Sequence, residues 1–546
     1  MKGTIIKISA CTVCFLSASS LLAQSGQSST TSYLVYLLLA AAVLVFFVLV
    51  IQVSDNLMAI EAKQVGIDSS QANFSIFPAV GEIFSSPLPD YLDDKVVRKL
   101  RRGHDITLEG ATEKSAPDDV EVTTYAVQPP NFIGIMPIPK VLVESGDEVK
   151  AGDPIFFDKK SPDIKYVAPV SGEIVAINRG AKRAITSIVI LADKEIKHRK
   201  YKKFDLEKSD REELVNYLLD SGCWPLIRQR PFNVVPDPEN VPRDIFISTF
   251  DTAPLAPDLN LIIEGRGEAF QRGLDVLNKL TSGKVHLGLD ARSEQPPASE
   301  FIEAEGVEKH WFKGKHPAGN VGVQIHHINP ISRGETVWTL GVQEVVTIGK
   351  LFLEQRFDAE RVVALTGAEL KEPRYVRTFM GAKLADLLKD NIKIDNVRII
   401  SGDVLSGEKK KREHFLNIFD DQVTVVEEGD YHELFGWLLP LKPRPSISRT
   451  FPNWLISGLT FKADTNTHGE KRAFVVTGDY ERVLPMDIHV QHLMKAILIN
   501  DFERMEGLGI LELSEEDVAL CEFVCVSKQP LQQILRKGLD TMREQT

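Results

Sequence analysis

Ser145-Gly146-Asp147-Glu148-Val149-Lys150-Ala151-Gly152-Asp153-Pro154-Ile155-Phe156-Phe157, answered downstream by Ala168-Pro169-Val170-Ser171-Gly172-Glu173-Ile174-Val175, decides the fold of the first soluble part of this chain. Short apolar runs alternate with Ser-Gly-Asp and Gly-Asp-Pro clusters, the pattern of short β-strands closed by tight turns. Gly146, Gly152 and Gly172 stand where such turns need a positive φ, which only glycine adopts without steric cost. The same rhythm extends over 122–191.

This spacing resembles the barrel-sandwich hybrid of biotinyl and lipoyl carrier domains. In carriers a modified lysine stands at a hairpin tip, so Asp158-Lys159-Lys160 offers Lys159 as a swinging-arm site. Ser161-Pro162-Asp163 follows at once, and no carrier partner chemistry occurs elsewhere, so a structural barrel with a charged hairpin is the preferred reading.

Downstream, 211–219 reads as a helix, 244–249 and 285–289 as strands, and 264–280 as a helix with Phe270, Leu274, Leu277 and Leu280 on one face. Strand, helix and strand in short succession predict a parallel, Rossmann-like α/β layer. Gly265-Arg266-Gly267 is no phosphate cradle, because Phe270 occupies the third glycine position; a helix start explains it better. Further on, 397–407 reads as a strand and a glycine-punctuated turn, followed by a charged loop over 408–413 and another strand at 422–426, a small β-rich module after a helix near 382–388, and 490–543 is mostly amphipathic helix.

Two side-chain clusters are candidates for chemistry. Trp224, Arg228, Arg230 and Phe232 lie within one ten-residue run, Cys223-Trp224-Pro225-Leu226-Ile227-Arg228-Gln229-Arg230-Pro231-Phe232. Guanidiniums among aromatic rings suit a flat ligand with polar oxygens, a quinone, although the same residues also make structural stacks and ion pairs. His310, His316, His326 and His327 look like a metal set, but His326 and His327 are read as neighbours in a strand, facing opposite ways, so no metal site is expected.

At the amino-terminal end, no charge occurs between Lys7 and Asp55, and 34–51 is continuously apolar. Residues 33–53 are therefore read as a transmembrane helix. Before it, 1–32 is a signal-like leader with a candidate cleavage position at Ala23 or, alternatively, the first arm of a helical hairpin. A linker, 54–95, follows.

Across 546 residues the composition is 43% hydrophobic and 26% charged with net charge −12. That length exceeds one core, and the acidic balance excludes general nucleic-acid binding. Of five cysteines, Cys11 and Cys14 fall in the leader and Cys223, Cys521 and Cys525 in the body, too few for a disulfide framework.

The motifs Gly146-Asp147-Glu148-Val149, Asn178-Arg179-Gly180-Ala181-Lys182-Arg183, His316-Pro317-Ala318-Gly319-Asn320-Val321-Gly322 and Glu515-Glu516-Asp517-Val518-Ala519-Leu520-Cys521-Glu522-Phe523-Val524-Cys525 carry a resemblance. From about residue 96 to the end, the chain resembles the A subunits of the sodium-translocating NADH:quinone reductases; 1–95 departs from that pattern. The resemblance implies a barrel-sandwich domain (96–205), a Rossmann-like domain (206–390), a β-grasp, SLBB-like module (391–450) and a helical tail (451–546). It implies a peripheral cytoplasmic component of an inner-membrane complex, with no redox cofactor, catalytic residue or metal of its own. The complex's FAD, FMN, riboflavin and iron–sulfur groups would lie in the other membrane and flavin-bearing subunits, and quinone is an expected contact. The related C subunit of the Rnf complex holds iron–sulfur clusters by repeated cysteines. Here only Cys521-x-x-x-Cys525 remains, and two thiolates cannot hold a four-iron cluster. A stand-alone NADH- and flavin-binding dehydrogenase akin to that Rnf protein, or a lipoyl-type carrier, is the alternative.

Overall fold

The computed structural model describes residues 29–64, 88–433, 436, 443–448 and 458–545. They fall into two compact units, Met1–Leu88 and Pro89–Thr546. The leader expected over 1–32 lies mostly outside the described residues, with Cys11, Cys14 and Ala23, as does much of the linker.

In the first unit Ser29–Gln64 is one helix of 36 residues, with Tyr36, Leu39, Leu44 and Phe47 exposed along it. Among the described residues, no helix is long and apolar enough to cross a membrane.

The second unit begins with the barrel-sandwich. Strands Thr124–Val127, Ile185–Ala192, Gly172–Arg179 and Glu148–Val149 make one sheet, and Lys140–Val141, Pro154–Asp158 and Ser161–Val167 another. Ile155, Phe156, Ile164, Ile174, Ile188 and Ile190 are buried, and the Phe156 and Tyr166 rings stack at 4.6 Å. Gly172, at φ 151°, has Leu191 O where a Cβ would stand, at 1.9 Å, so the close pairing of these strands requires glycine. Lys159 and Lys160 form the exposed tip between Pro154–Asp158 and Ser161–Val167.

The α/β layer is a six-stranded sheet in the order Val97–Lys99, Glu308–Lys313, Val285–Asp290, Ile245–Ser248, Val337–Leu340, Arg228–Arg230. All neighbours are parallel except the last pair. The chain runs outward from Ile245–Ser248 through two strands, then crosses to Val337–Leu340 on its other side, which makes a topological switch point. Helices Gly267–Leu280 and Val342–Glu354 pack together through Gly349, whose absent Cβ would lie 1.7 Å from Ala269 O. The Gly265-Arg266-Gly267 turn does start a helix.

His326 and His327 sit in the last turn of the helix Val321–Ile328, not in a strand. His326 Nδ1 lies 2.7 Å from Glu512 Oε2, and His327 Nε2 lies 2.6 Å from Pro485 O, so both tie this helix to the carboxy-terminal region.

A second six-stranded sheet orders Glu408–Lys410, Val397–Ser401, Gln422–Glu427, Glu360–Thr366, Arg374–Phe379 and Asp118–Asp119, drawing strands from both sides of residue 390. Helices Val490–Leu498, Phe502–Gly507, Glu515–Val524 and Leu531–Gln545 close the chain around Leu493, Met494, Leu520, Val524, Leu535 and Leu539. Cys521 and Cys525 are buried in this core, where Tyr480 O–H donates to Cys525 Sγ at 2.9 Å.

Candidate functional site

The Trp-Arg-Arg-Phe run is positioned by local signals. Asp210 caps the helix Arg211–Ser221 by accepting from Glu213 N–H, and Gly222 ends it in the left-handed region at φ 75°. A single turn, Trp224–Leu226, then leads into the edge strand Arg228–Arg230, paired antiparallel with Val337–Leu340. Period-2 alternation puts Arg228 and Arg230 on one side of that strand.

The four candidates have different surroundings. Trp224 is fully buried, its Nε1–H donating to Pro236 O at 2.9 Å and its ring edge-on to Trp338 at 5.3 Å. Arg230 is 2% exposed and holds Glu516 Oε1 at 2.7 Å and Asp517 Oδ2 at 3.2 Å. Asp517 in turn accepts from Ser514 N–H and Oγ–H at 2.9 and 3.1 Å, which seats the first turn of Glu515–Val524. Phe232, at φ 81°, packs against the helical core, and its carbonyl accepts two bonds from Arg536 at 3.0 and 2.9 Å. Arg228 lines a cavity that the other three do not reach, and its guanidinium lies 3.8 Å from the centroid of the Phe419 ring.

That cavity encloses about 740 Å³ where the barrel, the α/β layer, the second sheet and the last helix converge. Ile133 and Phe419 supply apolar wall, Arg228 and Arg536 cationic donors, and Gln532 and Asp420 polar groups. Burial pushes the Asp420 carboxyl above its ordinary value against the opposing pull of Ser401, which donates to it at 2.6 Å, and of Arg228. Arg536 is fixed at the rim between the Phe232 carbonyl and Glu515, 3.3 Å away. Arg228 and Phe419 thus set a guanidinium plane against an aromatic ring in this wall, with Arg536 beside them. Phe419, Gln532 and Arg536 are not among the residues the sequence singles out, because nothing local marks them.

The switch-point crevice has a different content. There Ser248 Oγ–H donates to Gly319 O at 2.8 Å, Gln324 Nε2–H donates to Ser248 Oγ at 2.8 Å, and Thr252 Oγ1 lies 3.1 Å from His316 Nδ1. Phe250, Ala318 and His316 are buried beside them. These side chains bond to one another and to the backbone at the end of the strand Ile245–Ser248.

Comparison with known proteins agrees with this domain series. Residues 98–193 match the NqrA N-terminal barrel-sandwich hybrid domain, 209–357 the NqrA second alpha/beta domain, and 362–412 the NQRA C-terminal domain. The chain is 40% identical over 450 residues to the Na(+)-translocating NADH-quinone reductase A subunit of Yersinia pestis bv. Antiqua (strain Angola), covering 82% of this chain and 99% of that one. It is 39% identical over 450 residues to the corresponding protein of Neisseria meningitidis serogroup B, with the same coverage. To that of Vibrio atlanticus it is 38% identical over 449 residues, 82% of this chain and 99% of the relative. With barrel, α/β layer and second sheet matched in order and the relatives covered almost end to end, this chain belongs to the NqrA family, the A subunits of the Na+-translocating NADH-quinone reductases.

Proposed function

We propose that this chain, as the A subunit of a Na+-translocating NADH-quinone reductase, meets the quinone headgroup in the cavity beside Arg228 and carries no redox cofactor of its own. One observation carries the quinone reading: Arg228 stacks at 3.8 Å over Phe419 in the wall of a cavity of about 740 Å³. Such a pair grips a flat ring from its face while free N–H groups reach carbonyl oxygens at its edge. The cofactor-free reading is supported by the switch-point residues Ser248, Gln324, Thr252 and His316, whose polar groups bond within the chain. NADH oxidation and Na+ export then belong to partner subunits.

The membrane reading rests on the sequence. The uncharged, apolar run over 34–51 lies within a single helix, Ser29–Gln64, and anchors the chain with its body on the cytoplasmic side.

Photoaffinity labelling of the assembled complex with a quinone analogue, followed by mapping of the labelled peptides, tests the contact. Label is expected on the segments holding Ile133, Phe419 or Gln532, and to fall in Arg228→Ala. Label confined to other subunits overturns it. Co-purification of flavin-bearing partners with a colourless isolated chain is the expected result for the cofactor reading; bound flavin in the isolated chain overturns that.

A further inference from the structure

At the end of the α/β sheet away from the switch-point crevice, three side chains converge that the quinone reading does not use. Strand pairing forces the convergence. His286 pairs with Glu308 and Gly288 with His310 across the parallel strands Val285–Asp290 and Glu308–Lys313. Glu308 and His310 are two residues apart, so they share a sheet face, and His286 is on that same face in the neighbouring strand.

The atoms that meet all carry lone pairs suited to a metal. His286 Nδ1 lies 2.9 Å from His310 Nε2 and 3.5 Å from Glu308 Oε2, and the three ligand atoms all fall within 4.8 Å of one another. Around a tetrahedral ion with ligand bonds of about 2.05 Å, neighbouring ligand atoms stand about 3.3 Å apart. The two separations bracket that value. On its far side His286 turns Nε2 toward Asp244 Oδ1 at 3.5 Å, the outer carboxylate that fixes the ring of a metal-bound imidazole. Its other face lies flat on Phe246 at 4.6 Å. His286 is 6% exposed while the Glu308 side chain is 43% exposed, so the cluster has a buried floor and an entry from solvent.

We propose that His286, Glu308 and His310 form a three-ligand site for a divalent transition-metal ion of the zinc class, with water completing the fourth position. Without the ion, Arg98 Nη1 stands 3.2 Å from His310 Nδ1 and donates to it, leaving the His310 proton on Nε2, pointed at His286 Nδ1. Metal binding exchanges that tautomer: His310 carries its proton on Nδ1, and Arg98 Nη1 turns aside while Arg98 Nε keeps its bond to His327 O at 3.2 Å. The Nε2 proton passes to water and Nδ1 takes one up, so the net proton count of each ring is unchanged. Lys284, which pairs with Glu308, holds one carboxylate oxygen, and the other, Oε2, is the ligand.

The test is titration of the full-length, chelator-stripped protein in detergent, bearing no polyhistidine tag, with Zn2+ by calorimetry and Co2+ by visible absorption. One tight equivalent and the strong d–d absorption of four-coordinate Co2+ are expected. His310→Gln should abolish both. Glu308→Gln should weaken Zn2+ by at least about tenfold, since even outer-sphere changes at such sites cost about 10–100-fold. Should His310→Gln fail to fold, Glu308→Gln, on an accessible side chain, decides alone. Absence of a tight equivalent, or unchanged affinity in Glu308→Gln, overturns the proposal.

Discussion

Arg230 and Asp517, 287 positions apart in the chain, meet at 3.2 Å between Nη1 and Oδ2 with side chains 2% and 0% exposed. The pair fastens the edge strand of the α/β layer to the helix Glu515–Val524. Removing one partner leaves the other as an uncompensated buried charge, which typically costs ~3–5 kcal/mol. Arg230→Ala is therefore expected to lower the urea midpoint of the purified protein sharply. A midpoint within ordinary surface-mutant scatter would mean that water reaches Asp517.

Arg228 behaves differently, although it is two residues away on the same side of the strand. Its partner is the half-buried Phe419 ring, and a cation–π contact of this kind contributes ~0.5–1 kcal/mol. Arg228→Ala should leave the urea midpoint nearly unchanged while reducing quinone labelling. Phe419→Ala should reduce labelling with it, and Arg228→Lys, which keeps charge but loses the planar fork, should restore little. Labelling that follows charge alone would argue for an electrostatic role without stacking.

What can be read in the sequence is what is local. The barrel is legible because its turns are written in consecutive Gly, Asp and Pro residues, and Gly146, Gly152 and Gly172 all take positive φ. The helix Val321–Ile328 reads wrongly as a strand because Val321, Val323 and Ile325 alternate with period 2 and are β-branched. Tertiary contact overrides that preference: Ile325 and Val321 pack on Phe246 and Val337, and Gln324 fills the crevice. The second sheet joins Glu360–Thr366 to Gln422–Glu427, a pairing without any local mark. The same holds for the cavity. Arg228 stands out through its unusual neighbours, whereas Phe419 and Arg536 come from segments far along the chain. His286 and Glu308 escape notice for that reason too, since the strand register that brings them to His310 is not written in either strand alone.

Gly349 tests the packing of the α/β layer. Its hydrogen faces Ala269 O on the crossing helix, and a Cβ there would lie 1.7 Å from that backbone oxygen. Backbone cannot swing aside as a side chain can, so Gly349→Ala must separate the two helices. Overpacking of this kind costs ~1–3 kcal/mol. The expected result is a lower thermal midpoint for Gly349→Ala than for Gly507→Ala, where a Cβ meets nothing within 4 Å.

The buried histidines set an acid limit. Burial holds His316 below the ordinary imidazole value despite nearby Asp403 and Asp105, and burial followed by Lys315 does the same to His104. In the unfolded chain these rings take up protons below about 6.5, while the folded chain resists doing so. Their contribution to stability is thus fully present above that value and is lost as pH falls toward the depressed folded values. Burial holds Asp421, Asp251 and Asp517 above the ordinary carboxylate value, which acts in the opposite sense over the same range, so the histidine share is read as a difference: from about pH 7 to 5 the thermal midpoint of the unaltered protein should lose ground against that of His316→Asn. A gap between the two proteins that does not change with pH would contradict the assignment.

The helix Ser29–Gln64 allows the anchor to be separated from attachment through partners. Leu44 lies near the middle of the uncharged run 34–51 and is 66% exposed along the helix, whereas Leu57, 61% exposed, lies beyond that run. Arginine near the centre of a spanning helix costs ~2.5–3.5 kcal/mol of insertion free energy, and the cost falls away toward the ends. If 34–51 crosses the bilayer, Leu44→Arg should move a large share of the chain out of carbonate-washed membranes, while Leu57→Arg should leave it in place. Equal retention of both variants would place the hold on the membrane in the partner subunits, and the helix would then need another occupant for its apolar surface.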